Sequence, residues 1–170
     1  MSAAPAGVWR PAIAGDAVVT VLGVGNPIMG DDGVGLEVLA GLQAARPDPR
    51  IGYVDGGTGG MALLPLVEDA SALLVLDAVA GAEAGEVQHL TGDQIPRMLA
   101  AKLSPHQVGL LDVFAAARLL GREPARVEVV GVVPASVDLR LGLSERVAAA
   151  VPAAVARAEG ILDGWLGGES

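Results

Sequence analysis

The sequence predicts an α/β protein, a three-layer α/β/α sandwich on a mostly parallel, twisted sheet. Three observations carry that expectation. Short aliphatic and β-branched runs alternate with longer segments of helical period. The first alternation spans about thirty residues, the size of a β-α-β unit, and such a unit needs a right-handed crossover and parallel strands. Aromatic residues are only 2% of the 170-residue chain while hydrophobic residues reach 52%. The interior must therefore be filled by aliphatic side chains and closely approaching backbones, as where helices lie on a sheet.

Residues 17–23 (AVVTVLG) are too short and too β-branched for an independent helix and read as the first strand, ended by glycines. From Gly33 to Ala45, Val34, Val38, Leu39 and Leu42 mark one buried helical stripe. The prolines of "RPDPR" stop that helix, because each lacks a backbone donor and disfavours helix in the residue before it. Ile51–Asp55 is the second strand, "DGGTGG" a glycine-rich turn and Met61–Val67 a short helix. The unbroken apolar run of Ala72–Asp77 (ALLVLD) predicts a strand buried on both faces. Glu86–Thr91 reads as an edge strand, and residues 101–109 (AKLSPHQVG), lacking a clean period, as a loop.

Leu110–Leu120 reads as a helix with Gly121 past its end, and Arg126–Pro134 as another buried strand. In the last helix Val147, Val151, Val155, Ala158, Leu162 and Trp165 follow spacings of 4, 4, 3, 4 and 3. Ser144 is placed to cap it, and Pro152 predicts a kink. With no linker, repeat or low-complexity tract, residues 17–170 read as a single domain and residues 1–16 (MSAAPAGVWRPAIAGD) as a floppy leader.

A net charge of −9 argues against nucleic acid as a partner, since phosphates would be repelled. The absence of cysteine excludes disulfides, thiolate ligands and a thiol nucleophile, and is compatible with the cytosol. A mean hydropathy of +0.51 raises the question of a membrane. No stretch reaches the ~18–20 uninterrupted apolar residues of a spanning helix: Asp77 splits "SALLVLDAVAGA" and Arg157 ends "VAAAVPAAVA". The N-terminus lacks the basic start and apolar run of a signal peptide, so the chain reads as soluble. Neither a Gly-x-Ser-x-Gly elbow nor an H-E-x-x-H helix is present, which removes support for serine-hydrolase and common zinc-protease chemistry.

The stretch "VTVLGVGNPIMGDDGVG", residues 19–35, poses the functional question. Gly23 and Gly25 fit a dinucleotide-binding turn, but Ile28 occupies its third glycine position, Asp31 and Asp32 follow where a pyrophosphate would want no negative charge, and the P-loop lysine is missing. Ligands of open parallel sheets bind outside the carboxyl ends of the strands. Three acids fall there: Asp32 after the first strand, Asp55 ending the second and Asp77 ending "LLVLD". Converging carboxylates need an offsetting cation, proton or set of donors, and a metal is the simplest. His106 is the natural further member, giving a mixed nitrogen and oxygen site that suits nickel, zinc or manganese.

Structural roles compete at each position. Asp31 or Asp32 suits a helix cap at Gly33, Asp55 suits the "DGGTGG" turn, and His106 suits an ordinary loop. Asp77, terminating a buried strand, needs a partner in any case. His89 reads as structural or exposed, and Trp9 and Trp165 as packing residues.

Five separated blocks, "GVGNPIMGDDGVG" at 23–35, "DGGTGGM" at 55–61, "LLVLDAV" at 73–79, "KLSPHQVGLLDV" at 102–113 and "VVGVVPAS" at 129–136, resemble the nickel-iron hydrogenase maturation endopeptidases, in that family's order. The resemblance covers residues 17–166 and implies a phosphorylase/hydrolase-like fold. It further implies a cytoplasmic, monomeric protease that removes a C-terminal extension from the hydrogenase large-subunit precursor after nickel insertion. The family's metal-binding residues match Asp32, Asp77 and His106, and the nickel is thought to belong to the substrate, although another divalent ion could occupy the site. Asp55, with the amides of Gly56, Gly57 and Gly59, is a further catalytic candidate, for orienting water or the cleaved strand. The three matched residues are expected to meet at one rim and face solvent. The rival readings are a non-enzymatic nucleotide-binding module and a nickel metallochaperone.

Overall fold

The computed structural model describes residues 17–99 and 105–167, without the side chains of 97–99 and 105–108. Residues 1–16, with Trp9, lie outside that description. The elements run β1 (Val19–Val24), a 3-10 turn (Gly30–Gly33), α1 (Val34–Ala45), β2 (Ile51–Gly57), a second 3-10 turn (Gly60–Leu63), α2 (Leu64–Asp69) and β3 (Ala72–Ala78). They continue with β4 (Val87–Thr91), α3 (Gln94–Leu99), α4 (Pro105–Leu119), β5 (Arg126–Val132) and α5 (Glu145–Leu166).

The sheet order is β2-β1-β3-β5-β4, parallel except for β4, which runs antiparallel to β5 at the edge. From β1 the chain passes to β2 on one side, then returns to lay β3 on the other. The gap between the carboxyl ends of β1 and β3 is therefore the switch point at which open α/β sheets hold their ligands.

Strand alternation sends side chains to two separate cores. Val21, Leu74, Leu76 and Val130 face α1 and α5, where Val38, Leu42, Val147 and Leu162 meet them. Leu22, Leu73, Val75 and Val129 face α2 and α4, against Leu66, Val67, Leu110 and Val113. This double burial explains the unbroken apolar run of β3: Leu73, Leu74, Val75 and Leu76 are all 0% exposed. Each such fully buried aliphatic side chain contributes roughly 1.5–3 kcal/mol. Among the described residues no helix is long and apolar enough to cross a membrane.

Three local differences from the expected elements have physical reasons. Residues 105–109 are the first turn of α4, not loop. Pro105 opens that helix, where its fixed φ is favourable and its missing N–H would have had no helical partner. The short α3 carries no amphipathic period long enough to announce it. In α5 the buried stripe is Val147, Ala150, Ala154, Ala158, Leu162 and Leu166, while Val151, Val155 and Trp165 pack only partly buried at its border. At the contact of α5 with α1 a glycine makes room: a Cβ on Gly41 of α1 would lie 3.0 Å from Val155 Cγ2. Pro152 lies inside this helix, which continues on both sides of it.

Gly35→Ala should cost about 3 kcal/mol or more, because its Cβ would fall 2.3 Å from Leu76 O and 2.5 Å from Val24 O. Gly160→Ala meets nothing within 4 Å in mid-α5 and should stabilise by about 0.5–1 kcal/mol. Urea unfolding midpoints of the two variants should shift in opposite directions.

Candidate active site

The site is built by backbone approaching backbone. After β1 the chain reverses at Gly25, whose φ of +145° and whose absent Cβ, which would lie 2.2 Å from Asp32 O, let the loop fold back on the strand end. Gly35 then lowers the first turn of α1 onto the carbonyls of Val24 and Leu76. Asp32 stands three residues before Gly35 and Asp77 directly follows Leu76, so one close contact carries both acids to the switch point. The 3-10 turn holding Asp32 packs against β3.

Both carboxylates are buried, Asp32 at 0% and Asp77 at 1% exposure. This corrects the expectation that they face solvent: the loop pressed onto the strand ends encloses them. Asp32 Oδ2 accepts from the Asn26 amide at 3.0 Å, and Asp77 Oδ1 accepts from the Ala78 amide at 2.7 Å.

Asp77 shares its face of β3 with Leu73 and Val75, the face covered by α4. On α4, Leu110, Val113 and Ala117 are buried against that face. His106 occupies the same stripe one turn ahead, at spacings of 4, 3 and 4 through Leu110, Val113 and Ala117. That turn belongs to the same rim, because Leu110 lines a small crevice with Val24 and Gly57–Gly60, and Gly109 would place a Cβ 3.3 Å from Gly60 Cα. The imidazole of His106 lies outside the described side chains. Among the described residues no group of three His, Cys, Asp or Glu side chains is positioned to hold a metal ion.

Asp55 is exposed at the end of β2, and its Oδ1 accepts from the Gly57 amide at 3.0 Å. It therefore organises the "DGGTGG" turn, which crosses back to the rim through a bond from the Gly25 amide to Gly57 O at 2.9 Å. The donor set at the rim, two carboxylates and an imidazole-bearing turn, has the hard and borderline character that suits a divalent first-row ion.

Asp31 has a different task, which the sequence did not reveal. Its carboxylate is 0% exposed and accepts four bonds from the β5–α5 connection. These come from the amides of Ala135 (2.9 Å), Ser136 (3.2 Å) and Ser144 (2.7 Å) and from Ser144 Oγ (2.8 Å). Burial pushes the carboxyl up, but the bonds from Ser144, Ala135 and Ser136 outweigh it and hold the group below the usual carboxylate range. Ser144 stands at the expected N-cap position of α5, yet its hydroxyl serves Asp31 and makes no bond to the helix. A signal was available: two adjacent acids in one tight turn point in different directions and cannot share one role.

His89 and Trp165 take no part in the rim. His89 Nε2 lies 3.6 Å from Glu128 Oε2 across the β4–β5 pair, and the Arg126 guanidinium sits 5.4 Å from the Trp165 ring centroid. These residues line an open groove beside α5 at the start of β5. Arg126 pairs with Ala72, five residues before the level of Asp77, or about 16 Å along the strands.

A switch point bordered by two buried acids, where a phosphate would have to approach, defines an α/β protein of the open-sheet type whose ligand site is acidic and not built for a nucleotide. Comparison with known proteins makes the class specific. The model of the hydrogenase maturation protease family matches residues 36–161, a span that contains Asp77 and His106 and begins just after Asp32. The chain is 34% identical over 140 residues to the hydrogenase 2 maturation protease of Escherichia coli, covering 81% of this chain and 85% of that protein. It is 36% identical over 151 residues to the hydrogenase expression/formation protein HupD of Rhodobacter capsulatus, covering 86% and 72%. The structure superposes on the hydrogenase maturating endopeptidase HybD from E. coli with a TM-score of 0.78 and 33% identity, over 85% of this chain and 91% of that one. The [NiFe] hydrogenase maturation protease HybD from Thermococcus kodakarensis gives 0.67 and 29%, over 84% and 97%. The chain belongs to the hydrogenase maturation protease family and is a protease.

Asp31→Ala should lower stability by about 2–3 kcal/mol at neutral pH, since amides and a hydroxyl built around a charge lose their acceptor. Because the native-state pKa is depressed, the contribution of Asp31 is fully present above the unfolded-state pKa. It is lost as pH falls through the native value. The gap between wild-type and variant urea midpoints should therefore narrow in strongly acidic buffer.

Proposed function

We propose that this protease removes the C-terminal extension of a nickel-iron hydrogenase large-subunit precursor, acting as a cytoplasmic monomer and recognising nickel already seated in its substrate. The observation that supports this best is the burial of Asp32 and Asp77 together at the switch point, beside the turn that carries His106, in a chain of this family. Nickel is part of the substrate in this scheme. Two carboxylates and one imidazole are fewer ligands than an ion requires, so the precursor supplies the rest and an empty precursor is not gripped.

The protein's own groups do three things. Asp32 and Asp77, held in place by the Asn26 and Ala78 amides, present negative charge in a low-dielectric setting that favours a cation over water. His106 adds a nitrogen donor from a helix turn fixed by the packing of Leu110. Asp55, exposed at the same end of the sheet, orients water or the cleaved strand together with the amides of its glycine turn. A divalent ion held there can polarise a scissile carbonyl or lower the pKa of water, which removes the need for a protein nucleophile.

Purified wild type should shorten nickel-loaded precursor, seen as a gel mobility shift, and leave metal-free precursor intact. Asp77→Asn and His106→Ala should each slow the cut by at least about 100-fold without loss of fold by circular dichroism. Processing at the wild-type rate by either variant would remove the proposed site. The isolated protein should bind nickel only weakly, whereas a metallochaperone would bind it tightly without the precursor.

A further inference from the structure

Between β1 and Asp32 the chain closes a ring of hydrogen bonds, and Asn26 stands at both ends of it. Residues 26–29, Asn-Pro-Ile-Met, form a tight reverse turn in which Met29 N donates to Asn26 O at 3.1 Å. Proline at the second position has its φ already set for such a turn, and asparagine is favoured at the first. The next bond runs from Asp32 N to Met29 O at 3.3 Å, and the last returns from Asn26 N to Asp32 Oδ2 at 3.0 Å. The Asp32 carboxylate is thus one link of the ring.

The side chain of Asn26 adds a bond inside the turn. Its Oδ1 accepts from Ile28 N at 3.2 Å, and because that partner is an N–H, the oxygen of the carboxamide must be the atom facing it. This is an Asx turn, in which the side chain stands in for a further peptide unit. The bond fixes χ1 and ψ of Asn26, and hence where its own N atom stands relative to the turn. Gly25, on the other side, cannot supply that constraint: its φ of +145° lies in a region closed to other side chains, and a glycine moves freely within it. The turn is also seated from below, since a Cβ on Gly33 would lie 2.9 Å from Pro27 Cα. It therefore rests on the same 3-10 turn that carries Asp32.

We propose that Asn26 is a positioning residue for Asp32: its carboxamide locks the 26–29 turn so that its own backbone N–H stays aimed at Asp32 Oδ2. The proposal rests on the function given above and adds a residue that acts through the carboxylate. Without the lock the amide swings away, the acid loses the donor that holds its oxygen, and its rotamer is no longer fixed. Misplacing a reacting group by about 1 Å can cost ~100-fold in rate.

The test pairs single-turnover cleavage of nickel-loaded precursor with amide hydrogen exchange, read by NMR on the full chain. Asn26→Ala lacks the acceptor. It should slow the cut at least about tenfold and speed exchange at the amide of residue 26 at least about tenfold, with the circular dichroism of wild type. Asn26→Ser, whose hydroxyl can accept the same N–H, should bring both readings back to within about threefold of wild type. Ile28→Ser keeps the backbone N–H and alters only a side chain of a residue 50% exposed, so both readings should stay at wild-type values. Cutting at the wild-type rate by Asn26→Ala would overturn the proposal. Slow cutting with unchanged exchange at residue 26 would also overturn it, as would an Asn26→Ser variant no better than Asn26→Ala. Failure of wild type to cut the loaded precursor would instead overturn the underlying function, and the exchange rates would still decide whether the carboxamide aims the amide.

Discussion

The close approach of α1 to the carbonyl ends of β1 and β3 is the constraint on which the rest depends. A Cβ at Gly35 would stand 2.3 Å from Leu76 O, inside any tolerable contact, so only glycine lets the helix start there. Without that contact the 3-10 turn would stand off the sheet and Asp32 would not reach the end of β3. Gly25 does the complementary work by reversing the chain at the end of β1. The glycines that resemble a phosphate-binding turn thus serve the same packing need that such turns have, the seating of a helix on a strand end. The space that a phosphate would use is taken by acids.

The paired acids show how neighbours in sequence part company in space. Asp31 turns toward the β5–α5 connection, meets four donors and stays charged as a structural clasp. Asp32, buried in the turn packed on β3, accepts instead from the Asn26 amide, and Asp77, buried at the end of β3, accepts from the Ala78 amide. The first carboxylate stabilises the loop, and the second gains its usefulness from the setting that the first maintains.

Much of this was legible in the chain. Short aliphatic and β-branched runs located all five strands and period-3.6 patterns the three long helices, because strands buried on both faces are apolar throughout while a helix on a sheet buries one stripe. Asp32, Asp55 and Asp77 could be placed at strand ends by counting. Less legible was the first turn of α4, where Pro105 and His106 interrupt the apolar period, so its residues read as loop. Also hidden was the buried stripe of α5, which runs through alanines. Larger valines and a tryptophan attract attention in a sequence, yet small side chains are the ones that let a helix come close.

By itself the sequence determined the order of the strands and the long helices, the largely aliphatic interior, the chemical identity of the candidate ligands and the family's motifs, since composition and period are properties of the chain. Only the tertiary structure decided that β1 and β3 lie side by side, that Asp31 binds the β5–α5 connection while Asp32 does not, that the acids are enclosed, and that Met29 pairs with Arg140. Those are contacts between residues dozens to more than a hundred positions apart. No local pattern encodes them, because they exist only once the sheet has chosen its strand order and the glycines have let the backbones meet.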